Sequence, residues 1–144
     1  MSSYNHILVG LDLSSESQQV IDRVKFLFVD TDTKISICHI LEPLAFTYGG
    51  DIPVDLSDVQ AQLKEQAVER LAFYGAQLNI EGDDQHVILG HPAQEMHAMA
   101  TSESIGLIVV GSHGRHGLSL IFGSTSNSVL HGASCDVLAV RITE

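Results

Sequence analysis

The sequence predicts an α/β fold: one doubly wound domain, residues 1–144, with a five-stranded parallel sheet sandwiched between helices. Three observations point there. Short apolar, β-rich runs alternate with segments of helical periodicity, the pattern of βαβ units with right-handed crossovers. The runs are apolar throughout instead of alternating with polar residues, as strands covered on both faces are. A length of 144 residues at 44% apolar composition suits one domain with a sizeable core.

The elements follow in order. Asn5 to Leu11 (NHILVGL) reads as the first strand. Ser15 and Gln18 then have capping-box spacing, and Val20, Val24, Leu27 and Phe28 mark one face of a helix. Lys34 to Leu41 (KISICHIL) is the second strand. Residues 42–55 form a loop with Pro43, Gly49, Gly50 and Pro53. Ser57 and Gln60 repeat the capping pattern, and Val59, Leu63, Ala67, Leu71, Tyr74 and Leu78 mark a long second helix. Gln85 to Leu89 is the third strand. Gly90-His91-Pro92 turns into the third helix, with Pro92 at its first position and Ala93, Met96 and Ala100 inward. Gly106 to Gly111 is the fourth strand, residues 124–133 the fourth helix, and Asp136 to Ile142 the fifth strand.

Composition narrows the function. Seven basic against eighteen acidic residues give a net charge of −11, which argues against nucleic acid, whose affinity comes from neutralising phosphates. The same field opposes a free polyanion, so a bound nucleotide needs local donors and a magnesium ion. No apolar run reaches the roughly 18 residues a membrane span requires. The start, MSSYNHILVGLD, lacks the basic region and cleavage site of a signal peptide, so the expected location is the cytoplasm. Cys38 and Cys135 are expected as buried free thiols, and their spacing offers no zinc site.

In a doubly wound sheet, ligands bind beyond the C-terminal strand ends where the strand order reverses, here after strands one and four. The run after strand four, GSHGRHGLSLIFGSTSNSVLH, is rich in glycine and serine. Gly111, Gly114, Gly117 and Gly123 let backbone N–H groups approach a ligand without a Cβ in the way. Ser124, Thr125 and Ser126 open the next helix, whose free N–H groups and dipole favour an anion. Four charge-assisted N–H bonds at about 1.5–3 kcal/mol each bracket the roughly 8 kcal/mol of micromolar binding. The run therefore reads either as a phosphate cradle that needs no lysine or as a tight turn.

Other chemistries fit less well. No Walker A motif occurs, and the dinucleotide fingerprint belongs after the first strand. No Gly-x-Ser-x-Gly elbow supports a Ser-His-Asp hydrolase. His113 and His116 lack the spacing of a helical metal pair. His39 reads as a hydrogen-bonded structural histidine, and His131 as the close of the last helix. Asp12 is read either as a cap for the first helix or as a ribose or indirect magnesium group. Arg115 is read as lying over phosphates or as a solvated cation. Efficient ATP hydrolysis needs a base and an electrophilic clamp that the sequence does not display.

The chain resembles the universal stress protein family over nearly its whole length. The resemblance is carried by HILVGLDLSSES, ISICHIL, GHPAQE, LIVVGSHGRHGL and GSTSNSVLHGASCDVLAVR. The family's nucleotide-binding branch carries Gly-x2-Gly-x9-Gly-Ser/Thr. This chain has Gly111-x2-Gly114, eight further residues, then Gly123-Ser124, one residue short. The resemblance implies a Rossmann-like, adenine-nucleotide α-hydrolase-like fold with the strand order 3-2-1-4-5. It implies ATP, AMP or ADP as a regulatory ligand with Mg2+ and little or no turnover. Gly111, Gly114, Gly123, Ser124 and Thr125 would hold phosphates and ribose, with His113 and Arg115 beside them. Gly10, Leu11 and Asp12 would line the adenine and ribose end, and the backbone of Ile40 would read the adenine edge. Gly10 stands where many ATP-binding members have proline. Family members dimerise through the last strand, here 136–142, a long apolar edge that invites pairing. The segment 41–55, with Leu44, Phe46, Tyr48, Ile52 and Val54, covers either the nucleotide or the dimer partner. Three functions stay open: a nucleotide-regulated stress protein, one acting only through contacts with a regulatory protein partner, and a slow ATP hydrolase.

Overall fold

The computed structural model describes residues 4–42, 57–112 and 124–143. In chain order these form β1 (His6–Gly10), α1 (Ser17–Phe28), β2 (Lys34–Leu41), α2 (Ser57–Gln77), a 3-10 turn (Gly82–Asp84), β3 (Gln85–Leu89), α3 (Pro92–Ser102), β4 (Leu107–Gly111), α4 (Ser124–Gly132) and β5 (Asp136–Val140). The strands make one sheet in the order β3-β2-β1-β4-β5, with every neighbouring pair parallel. The expected topology is the observed one.

Both faces of the sheet are covered, which is why β4 carries no polar side chain and why β1 and β2 are apolar apart from His6, Lys34, Ser36 and His39. On one face Ile7, Val9, Ile37, Leu107 and Val109 pack under α1 and α2 through Val20, Ile21, Val24, Ala67, Leu71 and Tyr74. On the other, Leu8, Cys38, Ile40, Ile108 and Val110 meet Met96 and Ala100 of α3 and Val129 of α4. Fully burying one such Leu or Ile side chain is worth about 1.5–3 kcal/mol.

Two helix faces differ from expectation. In α1 the side chain of Leu27 is exposed, and Ile21 takes the core position beside Val20 and Val24. In α2 Val59 and Leu63 are exposed and the buried stripe begins at Ala67, continuing through Leu71 and Tyr74. Val59 and Leu63 lie on the same stripe as Ala67, two turns and one turn nearer the helix start, and only the later part of that stripe is buried in the core. The fifth strand ends at Val140, short of the expected Ile142, because the chain turns towards α1 after Val140.

Both cysteines are free thiols, with Cys38 buried and Cys135 only half-buried, less than expected. Burial pushes the Cys38 thiol up to about 12 from its ordinary 9.0. The folded chain holds this proton more tightly than the unfolded one. Its contribution to stability is therefore whole below about pH 9.0 and is lost as pH rises towards 12. At about pH 8 a thiol reagent is expected to label Cys38 only after unfolding, because the thiolate is the nucleophile. Labelling of native Cys38 at the rate of a free thiol would contradict this burial.

Among the described residues no helix is long and apolar enough to cross a membrane.

Candidate functional site

The strand order reverses between β1 and β4, and a crevice opens above their C-terminal ends. Its first wall is the turn from β1 to α1. Asp12 leaves the sheet there, exposed, and its Oδ1 accepts from the Ser14 amide at 2.9 Å, the Ser14 hydroxyl at 2.7 Å and the Ser17 hydroxyl at 2.9 Å. This is an Asx turn running into a helix start. Asp12, not the predicted Ser15–Gln18 box, organises the start of α1. Glu16 at the cap position makes no side-chain cap bond, and the Gln18 amide instead exchanges hydrogen bonds with Gln77 of α2.

Distant elements hold this turn. Leu13 is buried with φ at +63°, a left-handed conformation costly for a branched side chain. Arg70 of α2 donates to the Leu13 carbonyl at 3.2 Å, and the Tyr74 hydroxyl donates to the Ser14 carbonyl at 3.2 Å. Burial pushes the Tyr74 phenol pKa up, and the negative charge of Asp12 adds to the shift. His39 of β2 bonds the Leu11 carbonyl through Nδ1 at 2.7 Å, so Nδ1 carries the proton. The Leu11 amide donates to the Cys38 carbonyl at 2.9 Å. Both main-chain groups of Leu11 thus have partners inside the fold.

Ile40 occupies the neighbouring position. The Cys38 carbonyl points to the β1 side, where it accepts from Leu11, and the Leu41 carbonyl points to the β3 side, where it accepts from the Gly90 amide. Backbone groups alternate along a strand, so Ile40 turns its N–H and C=O to the β1 side. The β1–β2 pairing ends at Gly10 and Cys38, so this amide group faces the crevice. Gly10 leaves no room for a side chain: a Cβ would stand 2.7 Å from the Met96 sulfur and 3.4 Å from Val110 Cγ1. Met96 fills the space that a proline ring would need.

The second wall is the end of β4. A Cβ on Gly111 would point at Ile142, 3.2 Å from its Cγ1, so this glycine makes room for the C-terminal end of the chain. Ser124 opens α4, and the backbone N–H groups of Ser124 and Thr125 lie in its first turn. His113, Gly114, Arg115, His116, Gly117, Gly123 and the segment 43–56 lie outside the described residues. Among the described residues no three His, Cys, Asp or Glu side chains gather as a metal site.

A Ser, a His and an Asp do meet at the opposite end of the strands. His6 Nε2 bonds the Ser36 hydroxyl at 2.7 Å, and Ser36 lies 3.5 Å from Asp84, which Lys34 approaches at 3.4 Å. Here serine sits between histidine and aspartate, and the other histidine nitrogen contacts the Glu103 carbonyl at 3.3 Å. A nucleophilic triad needs the histidine in the middle. The grouping is structural.

The Universal stress protein family model matches residues 3–141. The chain belongs to the universal stress protein family. Universal stress protein A homolog 2 of Coxiella burnetii is 42% identical over 144 residues, covering 99% of this chain and 98% of that relative. A universal stress protein solved in complex with cAMP superposes with a TM-score of 0.67 at 23% identity, covering 99% of this chain and 100% of the other. A universal stress protein family protein from Arabidopsis thaliana, solved with AMP bound, also has a TM-score of 0.67, at 16% identity, covering 96% and 92%. At such identities the two solved structures share the universal stress protein fold with this chain.

Sequence reasoning missed Gln19, Arg70, Tyr74 and Met96 as supports of the crevice. Gln19, Arg70 and Tyr74 act on residues 57 or more positions away, and Met96 fills space beside a glycine. Pattern reading sees neither. The Asx turn had a local signal, Asp12 two residues before Ser14.

Proposed function

We propose that the chain binds an adenine nucleotide in the crevice above β1 and β4 as a regulatory ligand in the stress response. ATP, AMP and ADP are the candidates, with Mg2+ accompanying the polyphosphates. The observation that carries this reading is the Ile40 peptide group turned towards the crevice beside an exposed Asp12. An adenine edge needs one donor and one acceptor from a main chain, and a ribose hydroxyl needs a carboxylate. The cAMP and AMP bound by two proteins of this fold support the same choice.

Each residue then has a job. The Ile40 backbone pairs with the base while Gly10 and Leu11 line the space below it. Asp12 accepts from the ribose hydroxyls, and its carboxylate would be the residue to hold a magnesium ion that accompanies the phosphates. Gly111, Gly114, Gly123, Ser124 and Thr125 offer backbone N–H groups and hydroxyls to phosphate, with His113 and Arg115 alongside. The role is regulatory, with turnover slow or absent, because efficient hydrolysis needs a positioned base together with an electrophilic clamp, a pairing the sequence does not display. The protein works in the cytoplasm as a homodimer joined along 136–142, and the ligand alters a surface read by a regulatory partner. β5 suits the dimer because among the described residues it pairs with β4 alone.

Calorimetric titration with AMP, ADP and Mg·ATP tests the reading. The expected result is saturable heat at micromolar to millimolar concentration, with no phosphate released over hours. Absence of heat with all three at millimolar concentration overturns it.

A further inference from the structure

Beyond β5 the C-terminal end of the chain is held at three places around the crevice. The Ser112 amide donates to the Val140 carbonyl at 2.7 Å, and the Ile142 amide donates to the Ser112 hydroxyl oxygen at 3.0 Å. Ile142 is 6% exposed and lies over Gly111, in the space that a side chain there would fill. Gln19, in the first turn of α1, grips Thr143. Its Nε2 donates to the Thr143 carbonyl at 2.6 Å, while Oε1 accepts from the Thr143 amide at 2.9 Å and hydroxyl at 3.2 Å. A primary amide carries the same donor and acceptor as a peptide group, so Gln19 acts as one more rung of sheet.

These bonds join the two walls of the crevice. Gln19 belongs to the helix whose start Asp12 organises, and Ser112 is the residue at which the glycine-rich run leaves β4. Resting on the nucleotide reading above, we propose that Gln19 and Ser112 are positioning residues that use residues 141–143 as a strap. The strap fixes the root of the glycine-rich run against α1 and so sets nucleotide affinity without touching the nucleotide. The physical reason is preorganisation: backbone that is already ordered leaves less ordering for the ligand to impose. The same geometry explains why the first glycine of the run faces Ile142 and not the crevice.

The test is calorimetric titration of the full chain with ADP and Mg·ATP for the wild type, Gln19→Ala, Ser112→Ala, the double variant and Ser112→Thr. Each single alanine variant is expected to bind about tenfold more weakly, or about 1.4 kcal/mol. The double variant is expected to bind little more weakly than either single one, because both act through one strap. Ser112→Thr keeps the accepting oxygen and is expected to stay within about twofold of wild type. Amide hydrogen exchange at Ile142 and Thr143 is expected to quicken in the alanine variants. Gln19 is only half-buried, so a cooperative melt of Gln19→Ala separates a lost strap from a lost fold. Alanine variants that bind as tightly as wild type overturn the strap and leave the nucleotide reading standing. Fully additive losses in the double variant overturn it as well. A wild-type chain that gives no heat overturns both.

Discussion

Asp12→Ala is expected to bind nucleotide about ten- to a hundredfold more weakly and to lose about 1–2 kcal/mol of stability. The two effects have separate origins. A charge-assisted bond from a ribose hydroxyl is worth about 1.5–3 kcal/mol, and each 1.4 kcal/mol is a factor of about ten in affinity. The stability loss comes from Oδ1, which serves the Ser14 amide and the hydroxyls of Ser14 and Ser17. Removing a helix-start acceptor of this kind costs about 0.5–2 kcal/mol. Asp12→Asn separates the two, since it keeps an acceptor at Oδ1 and discards the charge. It is expected to melt close to wild type and still to lose about tenfold in affinity. Calorimetry beside thermal denaturation reads both quantities. Equal binding by all three proteins would remove Asp12 from the site.

Ile108→Ala is expected to cost about 2–5 kcal/mol, since the side chain is wholly buried in the central strand β4 and packs in the layer with Val129 and Met96. Domains are stable by about 5–15 kcal/mol, so the loss is a large share. In a chain of this size about 2–4 °C of melting temperature goes with each kcal/mol. Ile108→Val, one methylene smaller, is expected to cost about 0.5–1.5 kcal/mol. Leu130→Ala, at an exposed position of α4, is expected to change stability by less than about 0.5 kcal/mol. Comparable melting of Ile108→Ala and Leu130→Ala would contradict the packing of this layer.

The strands were legible in the sequence because burial on two faces leaves an apolar signature, whereas their order came with the family resemblance. No polar residue interrupts β4: Leu107 to Val110 are all buried, two to each helix layer. Helix faces were less legible. Periodicity announces that α2 is a helix and marks one apolar stripe, yet Val59 and Leu63 at its start are exposed while Leu71 and Tyr74 further along are buried. Spacing alone does not say how far along the helix the core reaches. Of the candidate site, the turn at Asp12 had a local signal, whereas the Ile40 position came only from the family resemblance. The site was illegible where it depends on pairs such as Gln19 with Thr143, 124 positions apart. Likewise Gly111 reads as a ligand-facing glycine by motif, although its missing side chain makes room for Ile142.

The left-handed turn at Leu13 has a consequence for how the pocket comes into being. Its carbonyl and that of Ser14 are held by Arg70 and Tyr74, on a helix that begins only at Ser57. A fragment that stops short of Arg70 contains the whole Asp-Leu-Ser motif with its Asx bonds and the His39 contact, and lacks the two bonds from α2 that hold the Leu13 and Ser14 carbonyls. The pocket is therefore finished from a distance, and its first wall is complete only once α2 has docked.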